Sequence, residues 1–356
     1  MDWGFVFMGS VGIADEVKLA EDRGFSHAWL YDTQMLGSEV YAALAICALK
    51  TEKIKLGPGV TNPASRIAPL TACGMATINQ LAPGRAILGI GTGNTTRRTM
   101  GMPAAKLSEL REHVEVCQGL FRNEITDYTE GERHRKIRFL NPDMGYYNIK
   151  DPIPTYIAAS GPKSCQLAGE IADGVILFGA VHPRLLQFLL DNVRVGAERA
   201  GRNFDDIYVL SMTAFYLTEP GQSIESDAVR QAVGPMVASS SNIFALSARL
   251  EPECLPEELR EGIMGFRSAY HAPDEPVETR HLKLYSGYLQ HLKEEHVPLM
   301  TEKIIRATTL TGTADQVTES IRAMEKAGVH QVAIQPILDT ATTVSQVAKE
   351  IMPRFA

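Results

Sequence analysis

Four short stretches carry residue types able to hold or act on a small molecule: Asp32-Thr33-Gln34, Gly59-Val60-Thr61-Asn62-Pro63, Gly89-Ile90-Gly91-Thr92-Gly93-Asn94 and Ser160-Gly161-Pro162-Lys163-Ser164. Each follows a strand-like apolar run. Asp32 and Gln34 offer a carboxylate and a carboxamide at a strand end and are the candidate catalytic pair, with hydrogen bonding alone as the lesser role. Gly59 permits a close backbone approach to a ligand that a β-carbon would block, although Pro63 also suits an ordinary strand end. Ser160, Gly161 and Pro162 lead into a helix whose unpaired amides and dipole favour an anion. A plain serine cap is the competing reading. Gly91, Thr92, Gly93 and Asn94 superficially contain GxGxG, but the helix start and downstream acidic residue of a dinucleotide fingerprint are missing. Phe178-Gly179 ends a further strand. Phe5, Tyr270 and His271 are candidates for the substrate side, against core packing or a solvated loop. HxxxH, HExxH, GxSxG and Walker patterns do not occur, so no metal site, serine hydrolase or P-loop is expected.

Positioning these loops falls to a repeated strand-helix unit, seen most clearly in Lys53–Gly93. Ile54–Val60 and Ala86–Gly91 are buried-strand patterns, and Pro69–Leu81 between them has helical spacing stopped by Pro83-Gly84. Further strands are expected at Trp3–Met8, His27–Tyr31, Pro154–Ala159, Gly174–Phe178, Ile207–Thr218 and Val332–Pro336. Helices are expected at Ile13–Arg23, Val40–Leu49, Ala104–Phe121, Pro162–Ala172, His182–Ala200, Thr313–Ala327 and Val344–Ile351. Eight strand-like runs, each followed by a helix, favour an α/β fold closed as a (β/α)8 barrel, with all eight loops at one mouth. Two regions break the pattern. Residues 123–150 read as a hairpin-like insertion, and 223–306, helical patches interrupted by prolines, as a rim insertion longer than any simple connection.

A chain of 356 residues with 45% hydrophobic content can bury such a barrel as a single domain. Net charge of −7 and a pI near 5.8 argue against nucleic acid, and the basic run Arg133–Arg138 is short. Five cysteines without CxxC spacing read as reduced packing residues. No apolar run approaches a membrane span or a signal peptide, so a cytoplasmic protein is expected.

The wording GPGVTNPxxR, followed by a helix containing TA and AT and then by PGRAILGIGTGN, resembles the bacterial luciferase-like superfamily of flavin- or deazaflavin-dependent oxidoreductases, especially its methylenetetrahydromethanopterin reductase branch. The resemblance runs through nearly the whole chain. It implies a non-prolyl cis peptide at Gly59–Val60 backing the coenzyme ring. It also implies contacts of Gly91–Asn94 with the ring's pyrimidine end, and a coenzyme phosphate held at Ser160–Pro162 and closed over by Phe178-Gly179. Where other branches place a histidine after the aspartate, Thr33 stands here, and many relatives have Asp in place of Asn94. The activity so implied is, first, a two-component monooxygenase that uses reduced FMN from a separate reductase. The alternatives are a coenzyme F420-dependent hydride-transfer enzyme and a non-catalytic flavin-binding protein. A homodimer through the early helices is implied as well, with a small organic substrate under the long insertion.

Overall fold

A computed structural model describes residues 1–248, 255–269, 274–337 and 339–355. The strands in chain order are β1 (Asp2–Phe7), β2 (His27–Leu30), β3 (Lys55–Pro58), β4 (Leu88–Ile90), β5 (Thr126–Glu130), β6 (Arg133–Ile137), β7 (Thr155–Ala159), β8 (Gly174–Phe178), β9 (Tyr208–Leu217), β10 (Leu310–Gly312) and β11 (Gln331–Gln335). The helices are α1 (Ala14–Asp22), α2 (Val40–Lys50), α3 (Ala68–Leu81), α4 (Asn94–Arg98), α5 (Leu107–Phe121), α6 (Pro162–Ile171), α7 (Pro183–Arg199), α8 (Asp227–Ala248), α9 (Glu257–Ala269), α10 (Arg280–Tyr285), α11 (Glu302–Thr308), α12 (Ala314–Ala327) and α13 (Thr340–Gln346).

Parallel strands run in the order β3-β2-β1-β11-β9-β8-β7-β4, and the ring closes between β4 and β3. Leu56 N–H donates to the Arg85 carbonyl at 2.8 Å and Ile87 N–H to the Leu56 carbonyl at 3.0 Å. Nearer the mouth, Thr61 N–H donates to the Gly89 carbonyl at 3.0 Å and Gly91 N–H to the Thr61 carbonyl at 2.9 Å. Leu56 pairs with Ala86 and Thr61 with Ile90, which leaves one extra residue on the β3 side. That extra residue makes a bulge. It contains a cis peptide at Gly59–Val60, where the family resemblance placed one. A β-carbon at Gly57 would lie 2.3 Å from the Ile87 carbonyl oxygen, and one at Gly89 2.2 Å from that of Pro58. The seam therefore closes backbone against backbone.

Both faces of each barrel strand are buried, so the sequence shows unbroken apolar runs rather than alternation. The faces differ in their surroundings. Val6, Trp29, Ile87, Tyr156, Ile176, Leu210, Met212 and Ala333 fill the interior. Trp3, Phe5 and Phe7 belong to the larger core under the helices.

Local signals position most helices as expected. Thr313 and Gln316 form a reciprocal cap at the start of α12, and Gly328 ends it at φ 106°. Residues 123–150 contain the antiparallel β5–β6 hairpin, whose second strand is the exposed basic run. The rim insertion is helical, but Pro235 does not break it: α8 runs through that proline. The lost N–H is offset by burial of fifteen of the twenty residues from Val229 to Ala248, including the unbroken stretch Ala232–Asn242. Short elements went unforeseen, namely α4 and the strand β10, which pairs with the outer end of β9.

Candidate active site

The barrel mouth holds a cavity of about 460 Å³. Its floor is the top of the interior packing, Ile176 and Met212, together with Val60 from the β3 bulge. Its sides are the strand ends: Met8, Tyr31 and Thr33, then Gly91–Thr96 with Arg98, then Ala158–Ser160 and Phe178. The insertion roofs it with Ile243, Leu246 and Ser247 of α8 and with Tyr288 and Leu289.

Of the residues singled out by sequence, Gly59, Val60, Gly91, Thr92, Gly93, Asn94, Ser160 and Phe178 line this cavity. Others stand behind it. Asp32 is buried; its Oδ2 accepts from Thr61 Oγ1 at 2.6 Å and from Arg66 Nη1 at 2.6 Å. Arg66 also pairs with Glu39 and lies over the Tyr41 ring at 4.7 Å. Asp32 thus ties β2 to the β3 bulge, with its charge already compensated. The buried Asn62 organises its own loop, Oδ1 accepting from the Ala64 and Ser65 amides at 3.0 and 3.1 Å. Gly93, at φ 72°, packs against it with no room for a β-carbon.

Gln34 is exposed on the turn after β2, where its Nε2 contacts Met100 Sδ at 3.2 Å, and it is not a wall of the cavity. Phe5 faces the helices, stacked near Phe7 and edge-on to Phe25, because strand alternation turns its neighbour Val6 inward instead. Met8, two residues beyond Val6, reaches the cavity. Tyr270 and His271 lie outside the described residues.

The loop before α6 is partly occupied by its own side chains. The Ser160 and Gly161 amides donate to Ser164 Oγ at 3.3 and 3.2 Å, and Ser247 Oγ donates to the Ser160 carbonyl at 3.1 Å. Gly161 and Gly179 both lie against α8. A β-carbon at Gly161 would meet Ser247 Oγ at 3.0 Å, and one at Gly179, which has φ 64°, would meet Ser240 Cβ at 2.3 Å. Ser240 and Ser247 are two helical turns apart on one face, so these glycines seat the roof helix.

A second clasp holds the other half of the roof. Tyr31 Oη donates to Gln335 Oε1 at 2.7 Å, and Gln335 Nε2 donates to the Leu289 carbonyl at 3.3 Å. The Tyr288 hydroxyl bonds Ser239 Oγ and meets Thr95 Oγ1 at 3.4 Å. Burial raises the pKa of both phenols well above the usual tyrosine value for Tyr31 and clearly for Tyr288, so both keep their protons. Among the described lining residues there is no carboxylate, imidazole or thiol. Met8 could have been found from the inward parity of Val6, and Ser247 from its seven-residue spacing to Ser240. Tyr288 and Leu289 have no local signal, because tertiary folding of the insertion brings them there.

Among the described residues no helix is long and apolar enough to cross a membrane, and no cluster of His, Cys, Asp and Glu suits a metal ion. Residues 12–331 match the family model described as luciferase-like monooxygenase. The chain is 34% identical over 346 residues to a 5,10-methylenetetrahydromethanopterin reductase of Archaeoglobus fulgidus, covering 95% of this chain and 94% of the relative. It is 32% identical over 216 residues to an F420-dependent glucose-6-phosphate dehydrogenase of Nakamurella multipartita, covering 57% and 62%. The solved coenzyme F420-dependent tetrahydromethanopterin reductase of Methanopyrus kandleri superposes with a TM-score of 0.69 at 26% identity, over 100% of both chains.

Proposed function

Because the chain belongs to the luciferase-like monooxygenase family, an oxidoreductase family on a (β/α)8 barrel, we propose that it is a coenzyme F420-dependent oxidoreductase exchanging hydride with a small organic substrate. The observation that carries this reading is the 34% identity, over nearly the full length of both chains, to an archaeal methylenetetrahydromethanopterin reductase. It displaces the reduced-FMN monooxygenase as the first expectation, and with it the need for a partner flavin reductase.

The cavity suits a tricyclic deazaflavin in kind and size. Its volume is within the range of cofactor sites. Val60, Ile176 and Met212 offer an apolar floor for a ring, and Thr92, Asn94, Ser160 and Ser247 a polar edge. Coenzyme F420, when bound, would supply the hydride in its reduced form and accept it in its oxidised form. The protein's part is placement and exclusion of water. The β3 bulge sets the floor, α4 and the Gly91–Gly93 turn set one edge, and α8 with Tyr288 and Leu289 cover the opening. With no carboxylate, imidazole or thiol on the described walls, Tyr31 and Tyr288 present neutral hydroxyls, held in place by Gln335 and Ser239.

Anaerobic absorbance titration with coenzyme F420 and with FMN tests this. F420 should bind at least tenfold more tightly, and methylenetetrahydromethanopterin is the first substrate to offer the reduced complex. Tight FMN binding without F420 binding would overturn the reading.

A further inference from the structure

Arg98 is the unexplained charge in the cavity wall. It lies at the end of α4 and is half-buried. Its Nε donates to Asn94 Oδ1 at 2.5 Å, and among the described residues no other hydrogen bond and no ion pair of its guanidinium is formed. Arg66 differs, being paired with Asp32 and Glu39, and Arg97, whose Nε donates to the Pro103 carbonyl at 3.1 Å, does not line this cavity. Holding a guanidinium partly out of water without a counter-charge is unfavourable unless a ligand brings one.

The position of Arg98 points to the substrate rather than the coenzyme phosphate. The phosphate expectation concerns Ser160–Pro162 and Gly179, under the Ser240–Ser247 face of α8. Arg98 belongs to the α4 side of the cavity, beneath the other half of the roof. Gly101, three residues on, packs against the His281 ring of α10, with no room for a β-carbon. Burial raises the pKa of Tyr285 and Tyr288, and the Arg98 charge opposes that rise in both, so the guanidinium acts on the roof at this end. No described wall residue is acidic.

Resting on the F420-dependent reading above, we propose that Arg98 is a specificity residue which binds an oxyanion, a carboxylate or phosphate, on the substrate. Asn94 fixes the Nε edge, which leaves the two terminal nitrogens for a planar, two-pronged contact that lysine would not reproduce. Hydride acceptors carrying an acidic group are then favoured over their neutral counterparts.

The test uses inorganic phosphate as probe, followed by calorimetry on the full chain with and without saturating coenzyme F420. The expected result is one phosphate taken up per chain in both states, weakened at least tenfold in Arg98→Gln and partly retained in Arg98→Lys, with coenzyme affinity, which Asn94 carries in part, falling by less than tenfold. Circular dichroism and thermal melting establish that the variants are folded, and if Arg98→Gln melts early, Arg98→Lys alone decides by its weakened uptake. Absence of phosphate uptake by the wild-type chain, or equal uptake by the folded variants, overturns the proposal. Phosphate displaced by coenzyme, or a tenfold loss of coenzyme affinity in Arg98→Gln, assigns the anion to the coenzyme and also overturns it. Failure of coenzyme binding alone would sink the F420 reading while the phosphate titration of the free protein still judges Arg98.

Discussion

Asp32 sits at a strand end beside the cavity with its carboxylate engaged by neighbouring side chains and not among the lining residues. Its carboxylate is taken up by Thr61 and Arg66, so removing the arginine leaves a buried charge with one hydroxyl. Arg66→Ala should destabilise the fold by about 3 kcal/mol, and adding Asp32→Asn should recover part of that, as chemical denaturation would show. His27 makes a pH prediction of similar size. Burial, aided by the Lys55 charge, lowers its pKa to about 4. The unfolded chain accepts that proton near pH 6.5, so stability is full above about 6.5 and falls with acidification towards 4, by roughly 3 kcal/mol. His27→Phe, keeping the ring beside Trp29, should flatten that acid limb in melts across pH. His113, also held neutral by burial with a pKa of about 4, should leave a residual slope. Residue types were legible at this scale but orientation was not. Phe5 and Val6 look equally apolar in a run buried on both faces, and only the register of the closed barrel says that Val6 and Met8 turn inward.

At the scale of elements, the roof helix depends on two bare backbone positions. Gly179→Ala would place a methyl 2.3 Å from Ser240 Cβ at a backbone φ of 64°. Both overpacking and an unfavourable conformation then act, costing about 2 kcal/mol or more. Because Phe178 lines the cavity next door, coenzyme affinity should fall at least tenfold. Ser240→Gly removes the steric part and should restore some affinity in the double variant, measured by the same titration; no restoration would mean that Gly179 does not act through α8. Many of the barrel strands and crossing helices were readable because local signals bound them, such as the Thr313 cap and the Gly328 stop of α12. The insertion was not. Pro235 is a helix breaker by propensity, and only burial on all sides lets α8 continue through it, a tertiary effect that no window of sequence contains.

The whole molecule leaves an apolar face uncovered outside the barrel. Ile46 and Leu49 of α2 and Leu70 and Leu81 of α3 are exposed, with Ile67 beside them. On α3 the exposed positions Leu70, Cys73, Thr77 and Leu81 follow helical spacing, so they form a stripe and not a scatter. The inner sides of the same helices are tightly seated: a β-carbon at Gly74 would meet the Tyr41 ring at 2.8 Å. A pair of helices presenting leucine and isoleucine to water suits a subunit interface, and the family resemblance implies a homodimer through the early helices. Two copies meeting about a twofold axis would each bury the same stripe. Light scattering should therefore give twice the chain mass for the wild type, and Leu49→Glu combined with Leu70→Glu should give the monomer with its circular dichroism unchanged, since both side chains point away from the core. A wild-type monomer at micromolar concentration would defeat this reading. So would a double variant that stays dimeric, which would place the interface elsewhere. Since none of the described residues lining the cavity comes from α2 or α3, the monomeric variant should still bind coenzyme, with the affinity lowered only as far as the α2–α3 pair loosens β2 and β3.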